Sequence, residues 1–365
     1  MAPLQSLSRL RREGLGGEKV KGDWGIEVKK QNNKNMTPSK PFSKDIILLD
    51  DVESVVNKIT EKLKEDVFKN LRRNGAVIGI SGGIDSSVCL ALSAKAFGPE
   101  KVLGIMLPER DSSPDSEILA GKLADKFGIK AIKEEITGAL SGFGCYERRD
   151  EAVKRVFPEY HPQTFKMKIG IKQSGLFSNL PPIFHLVIIG PDGTEKEKIL
   201  PPKEYLQIVA SSNFKQRTRM SMLYYHAERL HYAVIGTPNK HEQEQGFFVK
   251  YGDGGADVMP IGNLYKTQVY QLAQYLGVPE EIIKRTPTTD TYSAEQTQEE
   301  FFYQLPFDLM DRYWYGYENG YSPAEIAEVM GESEERVAAL FRNFERKKRT
   351  TEYLRMSPIR DYYGI

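Results

Sequence analysis

The chain has 365 residues, 40% of them hydrophobic, enough for one large domain or a main domain with additions. Its 51 basic residues balance 50 acidic ones, so no global field points to nucleic acid, a membrane surface or a polyanionic partner. No apolar run approaches the roughly 20 residues that span a bilayer, and two cysteines, Cys89 and Cys145, make no disulfide framework, so a reducing cytoplasm is the default compartment.

The first 40 residues hold Gly, Asn, Ser and scattered Lys/Arg without periodicity, which reads as a disordered basic arm reaching to about residue 45. Arg9, Arg11 and Arg12 have the flavour of a targeting peptide, but Glu13, Glu18, Asp23 and Glu27 weigh against it, and Met36 offers an alternative start. Across residues 52–71 an apolar stripe at helical spacing (Val52, Val55, Val56, Ile59, Leu63, Val67, Leu71) predicts a helix. A strand over 76–80, a loop, a helix to about Phe97, a strand over 102–107, a helix over 116–127 and a strand over 130–136 follow. Strand and helix alternating in this way predict an α/β fold, a doubly wound, mostly parallel sheet covered on both faces.

The rhythm then changes. Residues 165–169 alternate with period two, and 184–189, Gly190-Pro191-Asp192-Gly193 and 194–200 read as a hairpin. The β-rich piece spans about 159–205. A helix from about Phe214 carries Met220, Leu223, Ala227 and Leu230 on one side, and a strand over 232–235 ends in Gly236-Thr237. Residues 265–276 form an amphipathic helix closed by Gly277 and Pro279, and the tail is helical, with starts at Ser322-Pro323 and Ser333. The chain thus divides into an arm (1–45), a main domain (46–350) with the β-rich insertion, and a short tail (351–365).

The chemistry concentrates after the first strand, in Gly79-Ile80-Ser81-Gly82-Gly83-Ile84-Asp85-Ser86-Ser87. Small residues opening a helix let backbone N–H groups converge on phosphate oxygens. The Lys that ends a G-x-x-x-x-G-K-[ST] loop and serves the β/γ-phosphates is missing. Asp85 stands there instead, and a carboxylate beside a phosphate calls for an intervening cation such as Mg2+.

SGGIDSS resembles the signature of the ATP pyrophosphatases, which split ATP between the α- and β-phosphates; the absent γ-phosphate Lys is what that resemblance implies. Five downstream strings are similar to NAD synthetase in order and spacing: residues 213–220 (NFKQRTRM), 236–242 (GTPNKHE), 247–257 (FFVKYGDGGAD), 259–268 (MPIGNLYKTQ) and 276–288 (LGVPEEIIKRTPT). The resemblance implies ATP contacts from Gly79, Ile80, Ser81, Gly82, Gly83, Ile84, Asp85, Ser86, Thr237, Lys266 and Thr288, and a Mg2+ held by Asp85 and Glu242. It gives Arg217, Lys250, Asp257, Lys347 and Lys348 to the dinucleotide acceptor, and makes Asp85, Lys266 and Asp257 the catalytic set. The implied reaction amidates nicotinic acid adenine dinucleotide (deamido-NAD) to NAD through an acyl-adenylate, with ammonia as nitrogen donor, in a cytoplasmic homodimer. Neither cysteine has the setting of a glutaminase nucleophile, so free ammonia is the simpler source and a separate glutaminase subunit the other.

Two departures stand out. The β-rich insertion is longer than simple bacterial members require, which suggests a part in acceptor selection or oligomer contacts, against a decorative surface insertion. The tail string Arg346-Lys347-Lys348-Arg349 has Lys347 where a His-Lys pair normally meets the dinucleotide. Alternatives are an amide ligase of the same superfamily acting on another carboxylate, and a helix-turn-helix over 322–340, which its five glutamates make a helical cover near the active site rather than a DNA reader.

Overall fold

The computed structural model describes residues 40–172, 183–288 and 291–360. Four parallel strands form the main sheet: β1 (Ala76–Gly79), β2 (Val102–Met106), β3 (Lys130–Lys133) and β7 (Ala233–Ile235), in the order β3-β2-β1-β7. Alternation along the strands divides their side chains between two layers. Val77, Leu103, Ile105 and Val234 pack under Met220, Leu223 and Ala227 of the long helix α6 (Pro202–Leu230). Ala76, Ile78, Val102, Ala233 and Ile235 face the other layer, with α1 (Val52–Lys64), α2 (Ile84–Phe97) and α8 (Lys266–Leu276). Both faces are therefore covered, as the sequence pattern predicts. The chain leaves β1 toward β2 on one side and returns as β7 on the other. The carboxyl ends of β1 and β7 thus flank a topological switch point, where open α/β sheets place ligands.

The insertion is more than a hairpin. β4 (Lys166–Lys172), β5 (Ile183–Ile189) and β6 (Glu195–Ile199) form an antiparallel sheet in that order, with the expected turn at Gly193, whose φ of +81° suits glycine. The outer strand β6 is exposed and alternates Glu with Lys, which blunts an edge against strand addition. Met167, Ile169, Leu186 and Ile188 are fully buried in one core with Tyr292, Phe301, Phe302, Tyr303, Trp314 and Phe344, so the insertion is built into the interior and is not a surface decoration. It also holds the segment after Thr288: Ala294 N donates to Met167 O (3.1 Å), Met167 N to Ser293 Oγ (2.9 Å) and Gln296 Nε2 to Ile169 O (3.0 Å).

Several elements lie outside the sequence expectation. α4 (Thr137–Gly142) and α5 (Cys145–Val156) fill the stretch before the insertion, and α6 begins at Pro202 rather than near Phe214. The first helix gives way to a wide π turn over Glu65–Asn70. Most of the expected arm, residues 1–39, lies outside the described residues. Its end is packed: Phe42 is buried against Tyr321, whose hydroxyl donates to Lys40 O (2.8 Å). At the other end α12 (Glu334–Arg355) runs through the expected boundary at 350. α11 (Pro323–Met330) and α12 bury Ile326, Val337 and Leu340 in the shared core with α10 (Phe307–Glu318). No helix among the described residues is long and apolar enough to cross a membrane.

Candidate active site

β1, fully buried over its first three residues, delivers the loop to the sheet's carboxyl edge, where Ile80 N still donates to Ile105 O (2.9 Å). Gly82 has φ +70°, and a Cβ there would stand 2.7 Å from Ser116 O on α3 (Pro114–Lys126), so only glycine fits. Gly83 caps α2, and Ser86 and Ser87 donate their hydroxyls to Gly83 O at 3.0 and 2.8 Å. Those two hydroxyls brace the turn, and the first residues of α2, whose N–H groups lack intrahelical partners, line the cavity.

Asp85, in the first turn of α2, meets partners from two other elements. Its Oδ2 lies 2.5 Å from Lys266 Nζ at the start of α8, and its Oδ1 accepts Asn239 Nδ2 at 3.3 Å. Asn239 caps α7 (Lys240–Gln245) in a reciprocal box: Glu242 N donates to Asn239 Oδ1 (3.2 Å) and Asn239 N to Glu242 Oε2 (2.9 Å). Burial, and then the charge of Asp85, raise Glu242 to about 8 against the pull of Lys266. Lys266 is fully buried; burial opposes its charge, yet Asp85 and Glu242 outweigh it and raise its pKa. Two carboxylates share one ammonium, so the cluster is short of positive charge. Among the described residues no three His, Cys, Asp or Glu side chains converge as a complete metal site. Mg2+ fits the donor set that is present, because it is held by one or two carboxylates with phosphate and water oxygens completing its shell.

These groups border a cavity of about 320 Å³, within the range of small-molecule sites. Gly79, Ile80, Ser81, Gly83, Ile84, Asp85, Ser86, Thr237, Glu242 and Thr288 all line it. Gly82 and Lys266 stand directly behind the lining, one packed on α3 and one on Asp85.

The NAD synthase family model matches residues 55–169 and 186–355, so it contains the loop, the switch point and every element that carries a cluster residue. The chain belongs to the NAD synthase family. A Mesorhizobium japonicum NH(3)-dependent NAD(+) synthetase is 48% identical over 309 residues, covering 85% of this chain and 96% of that one. One from Methanocaldococcus jannaschii is 34% identical, over 75% of this chain and 85% of its own. In fold, the chain is similar to a Francisella tularensis NMN synthetase (TM-score 0.56, 22% identity, 86% of this chain and 99% of that one). It is also similar to a Campylobacter jejuni NH3-dependent NAD synthetase (TM-score 0.54, 22% identity, 85% and 98%). The family match breaks at residues 170–185, so most of the inserted sheet lies within the family pattern and the departure narrows to the β4–β5 connection.

The residues expected to hold the acceptor do not join the cavity. Arg217 is exposed and donates to Lys250 O (3.2 Å), while Lys250 Nζ reaches Tyr353 O and Met356 O (2.8 and 2.7 Å). Asp257 accepts Val234 N (2.8 Å) and Tyr224 Oη (3.0 Å), satisfying the edge of β7. Lys347 turns inward to Gln245 Oε1 (3.3 Å) and Phe302 O (3.2 Å), and Lys348 pairs with Glu244 (3.0 Å).

Sequence reasoning passed over three features. Arg219, rather than Arg217, lines the cavity, its Nε donating to Leu107 O (3.2 Å). Lys215, also on α6, is buried and binds Glu109 Oε1 and Asp111 Oδ2, each at 2.9 Å, and Thr291 O at 3.2 Å. Arg149 adds a 2.6 Å bond to Asp111. The signal was a dense charged string, Glu109-Arg110-Asp111, directly after a buried strand. Third, Asp253 of the glycine-rich turn lines the cavity, its carboxyl accepting Val249 N (2.7 Å) and raised by burial to about 6. Both cysteines are buried, and burial raises both thiols, Cys145 to about 11, which suits packing and not nucleophilic attack.

Proposed function

We propose that this chain is an ammonia-dependent NAD synthetase, using ATP and the carboxylate of deamido-NAD. The carrying observation is the assembly, in one cavity at the switch point, of a lysine-free phosphate loop with the Asp85–Lys266–Glu242 cluster. A carboxylate resists attack because it is anionic and its oxygens leave poorly. A carboxylate oxygen therefore bonds to the α-phosphorus of ATP as the α–β bridging bond breaks and pyrophosphate departs. Ammonia then bonds to the acyl carbon, the bond to AMP breaks, and the nitrogen sheds a proton, leaving an amide.

The backbone N–H groups of the loop and the start of α2 hold the departing pyrophosphate. Lys266 offsets charge beside it. Asp85 and Glu242 would hold Mg2+, which when bound neutralises negative charge on the phosphates. Thr237 and Thr288 supply hydroxyls along the nucleotide. Asp253, poised near neutrality in the same cavity, accepts the proton that the attacking nitrogen loses. Arg217, Lys250, Asp257, Lys347 and Lys348 keep the acceptor assignment only where the dinucleotide extends beyond the cavity. A cytoplasmic homodimer supplied with free ammonia completes the reading.

The test supplies ATP, Mg2+, deamido-NAD and ammonium and follows every product. NAD, AMP and pyrophosphate are expected in equal amounts; ADP with orthophosphate, or no NAD, overturns the reading.

A further inference from the structure

Behind the Asp85–Lys266 pair lies a dry polar chain that the chemistry above leaves unused. Asp311, on α10, is fully buried and its carboxylate takes four donors. Oδ2 accepts Thr267 N at 2.7 Å and Thr267 Oγ1 at 2.5 Å; Oδ1 accepts Lys266 N at 3.3 Å and His241 Nε2 at 2.5 Å. On its other side His241 Nδ1 faces Gln245 Nε2 at 3.3 Å, and Gln245 Oε1 takes Lys347 Nζ at 3.3 Å. Amine and amide N–H groups can only donate, so the chain runs one way, from Lys347 through Gln245 and His241 to Asp311. That direction assigns His241 its proton on Nε2. Tyr265, Tyr303 and Trp314 hold the imidazole edge-on, with centroids 5.7, 6.0 and 5.8 Å away.

A carboxylate this dry is costly unless its lone pairs are taken, and the groups that take them belong to the site. Two donors are the first backbone N–H groups of α8, which would otherwise lack partners, and a favourable helix N-terminus faces the charge. The first residue of α8 is Lys266 itself. The fourth donor, His241, is the neighbour of Glu242 in the short helix α7. One side chain on a tail helix thus fixes α7 and α8 relative to each other, and with them the two groups that flank Asp85.

We propose that Asp311, acting through His241 and the first turn of α8, is a positioning residue that holds Lys266 and Glu242 in register about Asp85. Gln245 and Lys347 brace the outer end of the chain. The inference rests on the synthetase reading above.

The test uses the full chain and compares Asp311→Asn, His241→Leu, His241→Gln, Lys266→Met and the Asp311→Asn/Lys266→Met pair for kcat, KM and Tm. Supporting groups of this kind are worth about 10–100-fold when lost, so kcat falls by that factor in Asp311→Asn and His241→Leu. KM for deamido-NAD stays within about two-fold. His241→Gln, whose amide N–H can replace Nε2–H, regains most of kcat. Asp311→Asn lowers kcat by a smaller factor in the Lys266→Met background than in wild type, because the part of its effect that runs through the ammonium is already lost and only the part through Glu242 remains. Losses of kcat that follow Tm across the series, that His241→Gln does not recover, and that add in full to Lys266→Met overturn the proposal in favour of simple packing. Folded variants with unchanged kcat overturn it as well. If Asp311→Asn does not fold, Gln245→Leu breaks the chain one link further out and is read the same way: a lower kcat at unchanged Tm supports the proposal, and a kcat equal to wild type overturns it. Wild-type protein that forms no NAD overturns the synthetase reading and this inference together, whereas normal wild-type turnover with indifferent variants removes this inference alone.

Discussion

Two charge clusters stand at the carboxyl edge of the sheet, and they are completed to different degrees. Around Asp85 and Glu242 there is one cation, Lys266, and Glu242 is driven up to about 8. Around Glu109 and Asp111 there are three, Lys215, Arg149 and Arg110; burial alone would raise Asp111, but Lys215 and Arg149 hold it below the ordinary carboxylate range. Tyr146 Oη adds a 2.8 Å bond to Glu109. The first cluster is left short of positive charge, while the second is paired by cations of the protein itself. On the function proposed above, similar residues at similar depth serve chemistry in one place and rigidity in the other, and the balance of cations separates them.

Perturbing each cluster should separate the two roles. Asp85→Ala leaves the fold intact and lowers the rate of ATP-dependent amidation by at least about 10²-fold, as expected when a group facing developing charge is lost; product assays with a matched Tm check this. Lys215→Met acts on stability instead, costing about 3–5 kcal/mol because it strands buried carboxylates, as read from urea unfolding. The deficit should shrink as pH falls and Asp111, which Lys215 helps to hold down in the wild type, protonates. A large kinetic effect without destabilisation would merge the two clusters into one site.

Asp253 sharpens the distinction further. It is protonated below and ionised above about 6, so as a proton acceptor it makes the rate fall as pH drops through that value. Asp253→Asn should lose this acid limb and about 10²-fold in kcat, seen in pH–rate profiles at saturating ammonium. The smallest effect belongs to Lys347, which burial lowers to about 7 from 10.5. With the folded value depressed, the unfolded chain binds the extra proton between those limits, so stability rises with pH across that window. Lys347→Met should flatten that slope in thermal melts between pH 6 and 9.

The sheet, its parallel sense and the phosphate loop were legible because each rests on contiguous residues: an apolar strand, a Gly/Ser turn and an amphipathic helix. The 29-residue α6 was half missed. Its early turns bury Tyr205 and Ile208 in the insertion's core and then Ser211, Ser212 and Lys215, which break the apolar rhythm; Lys215 makes sense only against Glu109 and Asp111. The merger of the insertion with the tail core was equally hidden, since Met167 and Ile169 meet Tyr292 and Phe301 only after folding. At the cavity, the loop, Thr237, Glu242 and, behind the lining, Lys266 were pointed to by motif. Arg219, Asp253 and Asp311 were not, because nothing local tells a buried polar side chain from a solvated one.

By itself the sequence determined the glycine-rich strand–loop–helix, because glycine at a positive φ and small residues at a helix start are local requirements written in consecutive positions. Which charges face one another was decided by the tertiary structure. Lys266 and Asp85 are 181 residues apart and Lys215 and Glu109 are 106. Burial and pairing, which set whether a carboxylate binds a proton, a lysine or a metal, exist only once those distant segments have packed.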